Sequence, residues 1–267
     1  MIAPFVDADW LGDHPEVVLV DARSYVDGRS GREAYQRSHL PGAVFVDLDA
    51  HLAAPPSTAE GRHPLPEPEV FAEGMRLAGI SDTATVVAYD DDSGAIAARL
   101  VWMLRVTGHD AALLDGGYLG WHGLREHHET ISPRAAFTAS PWPEEHLVGM
   151  DDLRDGVLLD ARPGERFRGE LEPLDARPGH IPGAVNLPCR ENADHHGALL
   201  PLHVLRTRLL AAGVSEGWVS SCGSGVTACL NLLIAEHLRL PAGRLYPGSW
   251  SQWAATDRPA ATGSSPP

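Results

Sequence analysis

Basic residues are scarce in this 267-residue chain: 21 Lys+Arg stand against 36 Asp+Glu, for a formal charge of −15. A nucleic-acid backbone needs a basic footprint, so this balance excludes nucleic-acid binding. It does not exclude a small anionic substrate, because a few buried arginines reverse the field locally. Cysteines are also few. Cys189, Cys222 and Cys229 make an odd, sparse set. Such a set is no disulfide framework and points to a reducing, cytoplasmic setting. No run approaches the roughly 18 apolar residues of a spanning helix, so no membrane association is expected. The opening MIAPFVDADW has no basic segment ahead of an apolar one and does not read as a secretory leader. What remains is ordinary globular composition, 43% hydrophobic and 21% charged, which rules out wholesale disorder. The length suits two domains of about 130 residues each.

The chain repeats itself. VVLVDAR at 17–23 returns as VLLDAR at 157–162, HLPGAVFVD at 39–47 as HIPGAVNLP at 180–188, and DGGYLGW at 115–121 as PGSWSQW at 247–253. Three matches in the same order indicate a tandem duplication. Residues 1–124 and 148–257 are the two expected domains. Residues 125–147, rich in proline and poor in apolar periodicity, are the expected linker, and 258–267 an expected flexible tail. In each half, short apolar runs ending in polar turns read as buried strands. The third of these, at 85–90 and 217–222, leads into helical stretches at 94–108 and 225–238. Strands alternating with helices imply, in each half, a doubly wound α/β unit with a mostly parallel sheet and helices on both faces. Ligands in such sheets sit beyond the carboxyl ends of the strands, where Cys222 falls.

Cys222 opens the segment Cys222-Gly223-Ser224-Gly225-Val226-Thr227 between strand end and helix start. The glycines allow successive amides to turn inward as an anion nest, and the helix adds its positive end. A thiolate is favoured there, and a negatively charged adduct on sulfur, such as a persulfide, would be stabilised. Cys229 is expected in the core of the following helix. Cys189, in LPCRENADHH, is open between a solvent-accessible thiol and a packed one. His195 and His196 fit no familiar metal spacing with Cys189, so no metal is expected.

This pattern resembles the rhodanese superfamily, in its tandem-domain sulfurtransferase form, over the chain up to Trp253. The resemblance implies a catalytically silent first domain and a second domain whose cysteine carries a persulfide. Asp90, which the repeat places opposite Cys222, cannot form one. The loop CGSGVTAC is similar to that of members using 3-mercaptopyruvate. Members using thiosulfate carry Arg and Lys after the cysteine, where Gly223 and Ser224 stand here. The implied function is sulfur transfer from 3-mercaptopyruvate to a thiol acceptor such as thioredoxin, or to cyanide, without a cofactor. The alternatives are a thiosulfate donor, or a sulfur carrier without turnover. A related phosphatase chemistry would need an arginine closing the loop, where Thr227 and Ala228 stand.

The resemblance also assigns residues. Cys222 is the nucleophile, with Gly223, Gly225, Val226 and Thr227 lining the cradle. Ser224, His63 and Asp49 form a proton-handling set, with Asp47 competing for the place of Asp49. Arg166 is the carboxylate-binding arginine. A second such arginine is expected after an acidic-Pro phrase, but Glu172-Pro173-Leu174-Asp175 puts Asp175 there, leaving Arg177 as the candidate substitute. Arg162 is expected to be structural, because Arg23 ends the same phrase in the silent half.

Overall fold

The computed structural model describes residues 1–153 and 156–264. The chain forms two compact units. The first holds Met1–Ala54, Pro66–Trp142 and Ala193–Leu199; the second holds Pro55–Leu65, Pro143–Asn192 and Leu200–Pro267.

In the first unit, β1 (Phe5–Val6), β2 (Val18–Asp21), β3 (Val44–Phe45), β4 (Val86–Tyr89) and β5 (Ala111–Leu114) form a parallel sheet in the order β1-β5-β4-β2-β3. Its helices are α1 (Ala8–Asp13), α2 (Gly31–Arg37), α3 (Pro68–Leu77), α4 (Ala97–Val106) and the short α5 (Gly117–Gly120). Local chemistry sets their starts. The Asp7 carboxylate caps α1 at the Trp10 amide, and the Ser30 hydroxyl caps α2 at the Glu33 amide. Proline opens α3. Leu19, Val87 and Ala112 bring the three central strands into one core with Leu40 and Tyr89.

The second unit has a parallel sheet of β6 (Leu158–Asp160), β7 (Val185–Asn186), β8 (Val219–Ser221) and β9 (Arg244–Leu245), in the order β7-β6-β8-β9. Its helices are α6 (Gly164–Phe167), α7 (Leu202–Ala211), α8 (Ala228–His237) and α9 (Ser249–Ala254). Phe167, Val219, Tyr246 and Trp250 are buried together in its core. The α/β class expected from the repeat is the class observed, twice over.

In both sheets the strand order reverses beside the first long strand: one neighbour is next in sequence, and the other begins the run in the opposite direction. Such a reversal leaves a crevice at the carboxyl ends of the two strands that flank it. In the second unit these are β6, which ends at Asp160, and β8, which ends at Ser221. Arg162 and Cys222 are thus delivered to one place by topology.

Three boundaries differ from expectation. Residues 125–142 are not a free linker. Phe137 is buried and stacks on His109 with ring centroids 4.5 Å apart, and the Thr138 amide donates to Asp82 at 2.7 Å. Burial of an aromatic ring outweighs the proline content, and this stretch belongs to the first unit up to Trp142. The stretch Pro55–Leu65, inside the first repeat by sequence, belongs to the second unit. The tail expected from 258 onward is docked over its described part. His180 pairs with Ala261, the Gly263 amide donates to the Arg168 carbonyl at 3.0 Å, and the Trp253 indole donates to the Pro259 carbonyl at 2.8 Å. Residues 265–267 of that tail lie outside the described residues.

Candidate active site

Cys222 follows β8 directly and is 2% exposed. The Gly225 amide donates to its sulfur at 3.1 Å. Gly225 has φ +76, and a Cβ there would lie 2.4 Å from the Pro247 carbonyl oxygen, so only glycine closes this turn. Val226 and Thr227 complete the loop and pass their carbonyls to the first turn of α8, at Cys229 and Leu230. The loop is clamped from the other side by the start of α9. The Cys222 amide donates to Ser249 Oγ at 3.0 Å, and the Trp250 and Ser251 amides donate to the carbonyls of Cys222 and Gly223 at 3.0 and 2.8 Å.

Ser249 was not foreseen. It holds a left-handed φ of +50, is fully buried, and its hydroxyl donates to the Tyr246 carbonyl at 2.8 Å while accepting the Cys222 amide. The signal lay in the repeat: Gly117, at φ +49, is its counterpart in DGGYLGW. Ser249→Ala removes the acceptor from a buried amide, so a loss of about 1–3 kcal/mol of stability is expected. Urea denaturation checks it; a shift under about 0.5 kcal/mol would show the bond contributes nothing.

Ser224 is buried, and His63 Nδ1 lies 2.8 Å from its Oγ. His63 reaches Ser224 because the loop before it is pinned to α9. The Arg62 amide donates to Ser251 Oγ at 3.0 Å, and the Gln252 side-chain amide donates to the Ala59 carbonyl at 2.6 Å. Asp49 falls in the first unit, on a single π-helical turn, Leu48–Leu52. Asp47 caps that turn, accepting the Asp49 and Ala50 amides at 2.9 and 3.1 Å. Burial, and then the neighbouring Asp47 charge, push the Asp49 carboxyl above its usual range.

The chain contains no lysine, so every permanent side-chain cation is a guanidinium fork. Three of them build a network beside the loop. Arg162, with its side chain 1% exposed, grips Asp160 at 2.6 Å, donates to the Gly179 carbonyl at 2.8 Å and reaches Glu172 at 3.4 Å. Arg23 repeats the first two contacts in the other unit, with Asp21 at 2.6 Å and the Ser38 carbonyl at 2.7 Å. Arg166 donates to Glu172 at 2.6 Å and to Asp175 at 2.9 Å. Arg62 pairs with Asp175 from the opposite side. Burial pushes the Asp175 carboxyl up, with the Arg62 charge pulling the other way.

Arg177 is not part of this network. Its guanidinium donates to the carbonyls of Trp253, Ala254 and Arg258, satisfying the end of α9. This corrects the expectation that Arg177 stands in for a second substrate arginine. Arg62 is the one beside Arg166. It went unnoticed because it lies about a hundred residues earlier, beside a histidine already singled out.

The two other thiols are packed. Cys229 donates to the Gly225 carbonyl at 3.4 Å inside α8, and Cys189 is fully buried. In the first unit, Asp90 follows β4 as Cys222 follows β8. Its carboxylate accepts the amides of Asp92, Gly94, Ile96 and Ala97 at 2.7–2.8 Å. Burial raises its pKa to about 6, against the pull of those amides. Among the described residues, no helix is long and apolar enough to cross a membrane.

A family model described as a Rhodanese-like domain matches residues 7–124 and 143–256. The 3-mercaptopyruvate sulfurtransferase of Escherichia coli is 37% identical over 273 residues, covering 94% of this chain and 95% of that protein. A crystal structure of a 3-mercaptopyruvate sulfotransferase from Escherichia coli superposes with a TM-score of 0.81 at 36% identity, covering 94% of this chain and 100% of that one. The 3-mercaptopyruvate sulfurtransferase from Leishmania major gives a TM-score of 0.85 at 33% identity, covering 96% of this chain and 75% of that one.

Proposed function

Because this chain belongs to the rhodanese family, with two rhodanese-like domains, we propose that it is a sulfurtransferase that takes sulfur from 3-mercaptopyruvate onto Cys222 and passes it to a thiol acceptor or to cyanide. The observation that carries this reading is the Cys222 cradle: a buried sulfur at a strand end that accepts the Gly225 amide and lies on the loop whose Ser224 meets His63.

The Cys222 thiolate attacks the donor sulfur. An S–S bond forms, the C–S bond breaks, and its electron pair leaves as the enolate of pyruvate. The proton of the donor thiol passes to the methylene carbon, giving pyruvate, and the His63–Ser224 pair is placed to carry it. The Cys222 persulfide bears the negative charge in the amide cradle. An acceptor thiolate or cyanide then attacks the outer sulfur, the S–S bond breaks, and the Cys222 thiolate returns. Dividing the transfer in two lowers each barrier, and no outside reductant is needed. The carboxylate of the donor is held by Arg166, with Arg62 beside it. Reduced thioredoxin is a fitting thiol acceptor.

Thiosulfate is the second donor to consider, and the arginine network disfavours it. The guanidiniums of Arg62, Arg162 and Arg166 meet the carboxylates of Asp160, Glu172 and Asp175, so among the described residues this network offers a dianion no surplus cation. Steady-state assays with both donors test this. We expect kcat/KM for mercaptopyruvate to exceed that for thiosulfate by about tenfold or more. Equal values would overturn the donor assignment. Binding of either donor without turnover would favour a sulfur carrier.

A further inference from the structure

Asp175 differs from the other carboxylates of the network. Glu172 is anchored: besides Arg162 and Arg166 it accepts the amides of Leu174 and Asp175, both at 3.1 Å. Asp160 is anchored by Arg162 and its amide. Among the described residues, the Asp175 carboxylate is held by two guanidiniums alone, Arg62 on one oxygen and Arg166 on the other. Its side chain is nonetheless only 3% exposed.

The two guanidiniums converge on the residue next to the nucleophile. A Cβ on Gly223 would stand 3.0 Å from Arg62 Nη2 and 3.5 Å from Arg166 Nη1. The missing side chain is the space into which both forks close. Arg62 also keeps donor capacity in reserve, since its Nε is buried without a hydrogen-bond partner among the described residues. Two forks facing one carboxylate, beside Cys222, is the arrangement that would hold a carboxylate ligand.

We propose that Asp175 is a specificity-determining internal occupant of this clamp. Its carboxylate sits where a small carboxylate ligand binds, and the ligand must displace it from Arg62 and Arg166. The proposal rests on the sulfurtransferase reading only for the identity of the ligand. Displacement explains why Asp175, unlike Glu172, has no backbone tether. It sets a threshold for anionic donors: a ligand gains the two forks only after the enzyme has lost an ion pair with each, so net affinity is the difference. It also makes Arg62 a ligand contact rather than a surface charge.

The test uses pyruvate, the carboxylate product, titrated calorimetrically into the full chain. Asp175→Asn should bind pyruvate about tenfold to a hundredfold more tightly than the unaltered protein. Adding Arg62→Gln to Asp175→Asn should abolish most of the gain. Unchanged or weaker binding by a folded Asp175→Asn protein would overturn the proposal and make Asp175 a structural ion-pair partner. If Asp175→Asn does not fold, a crystal structure of the unaltered protein with pyruvate decides. Asp175 should have left both arginines; a pyruvate carboxylate on Arg166 with Asp175 still between the two would refute displacement. Failure of the unaltered protein to turn over mercaptopyruvate would count against the proposed function and leave this binding result standing.

Discussion

Replacing Cys222 by serine is expected to reduce sulfur transfer by at least about a thousandfold while leaving the fold intact. The hydroxyl is smaller but fits the same cradle, and the Gly225 amide that now meets sulfur at 3.1 Å still has an acceptor. What it lacks is a nucleophile that forms a bond to sulfur and then gives it up. After incubation with mercaptopyruvate, mass spectrometry should find one added sulfur on the peptide containing Cys222, and none in Cys222→Ser. Cys189→Ser and Cys229→Ser should retain most activity, since both thiols are buried and a serine at 229 can still donate to the Gly225 carbonyl. Substantial turnover in Cys222→Ser would remove the basis of the mechanism.

Arg162→Ala should cost about 3–5 kcal/mol of folding stability, the usual result of stripping one partner from a buried ion pair. Asp160 would be left buried with no cationic partner among the described residues, and Glu172 would lose one of its two guanidiniums. Arg23→Ala should destabilise the first unit by a similar amount, since Asp21 is as deeply buried and Arg23 holds it in the same way. Urea denaturation of each variant measures both. A loss below about 1 kcal/mol for Arg162→Ala would mean that the pair is not what holds the end of β6.

The duplication and the parallel α/β architecture were legible because they rest on periodic, local features. VVLVDAR and VLLDAR announce buried strands by composition alone, and the loop at Cys222 announces itself by two glycines set between a strand end and a helix start. The elements that escaped are those whose stability comes from elsewhere in the fold. β1 is only two residues long and exists because Phe5 and Val6 pair with Leu113 and Leu114. α7 carries exposed leucines at 202 and 210, so its register is set by what Leu205 and Leu209 pack against. The site divides similarly. Cys222, Ser224, His63 and Arg166, which the structure places at or beside one loop, each stand in a recognisable phrase. Arg62 and Ser249 were missed, since a fork aimed at Asp175 and a hydroxyl aimed at an amide are facts of tertiary placement. Arg177 is near Asp175 in sequence, but its guanidinium serves the end of α9.

The loop at Asp90 sets the two copies apart by what fills the cradle. Four amides converge there on a carboxyl group that is part of the chain, so the first copy fills its cradle with its own side chain. Its neighbours have adapted to it. Asp91 accepts the Tyr25 hydroxyl at 2.6 Å, and Asp92 adds a second negative charge that disfavours ionisation of Asp90. A cysteine introduced at 90 would meet the Asp92 charge, which disfavours a thiolate as it disfavours the Asp90 carboxylate. A single exchange at 90 is therefore not expected to turn the first copy's loop into a second Cys222 loop.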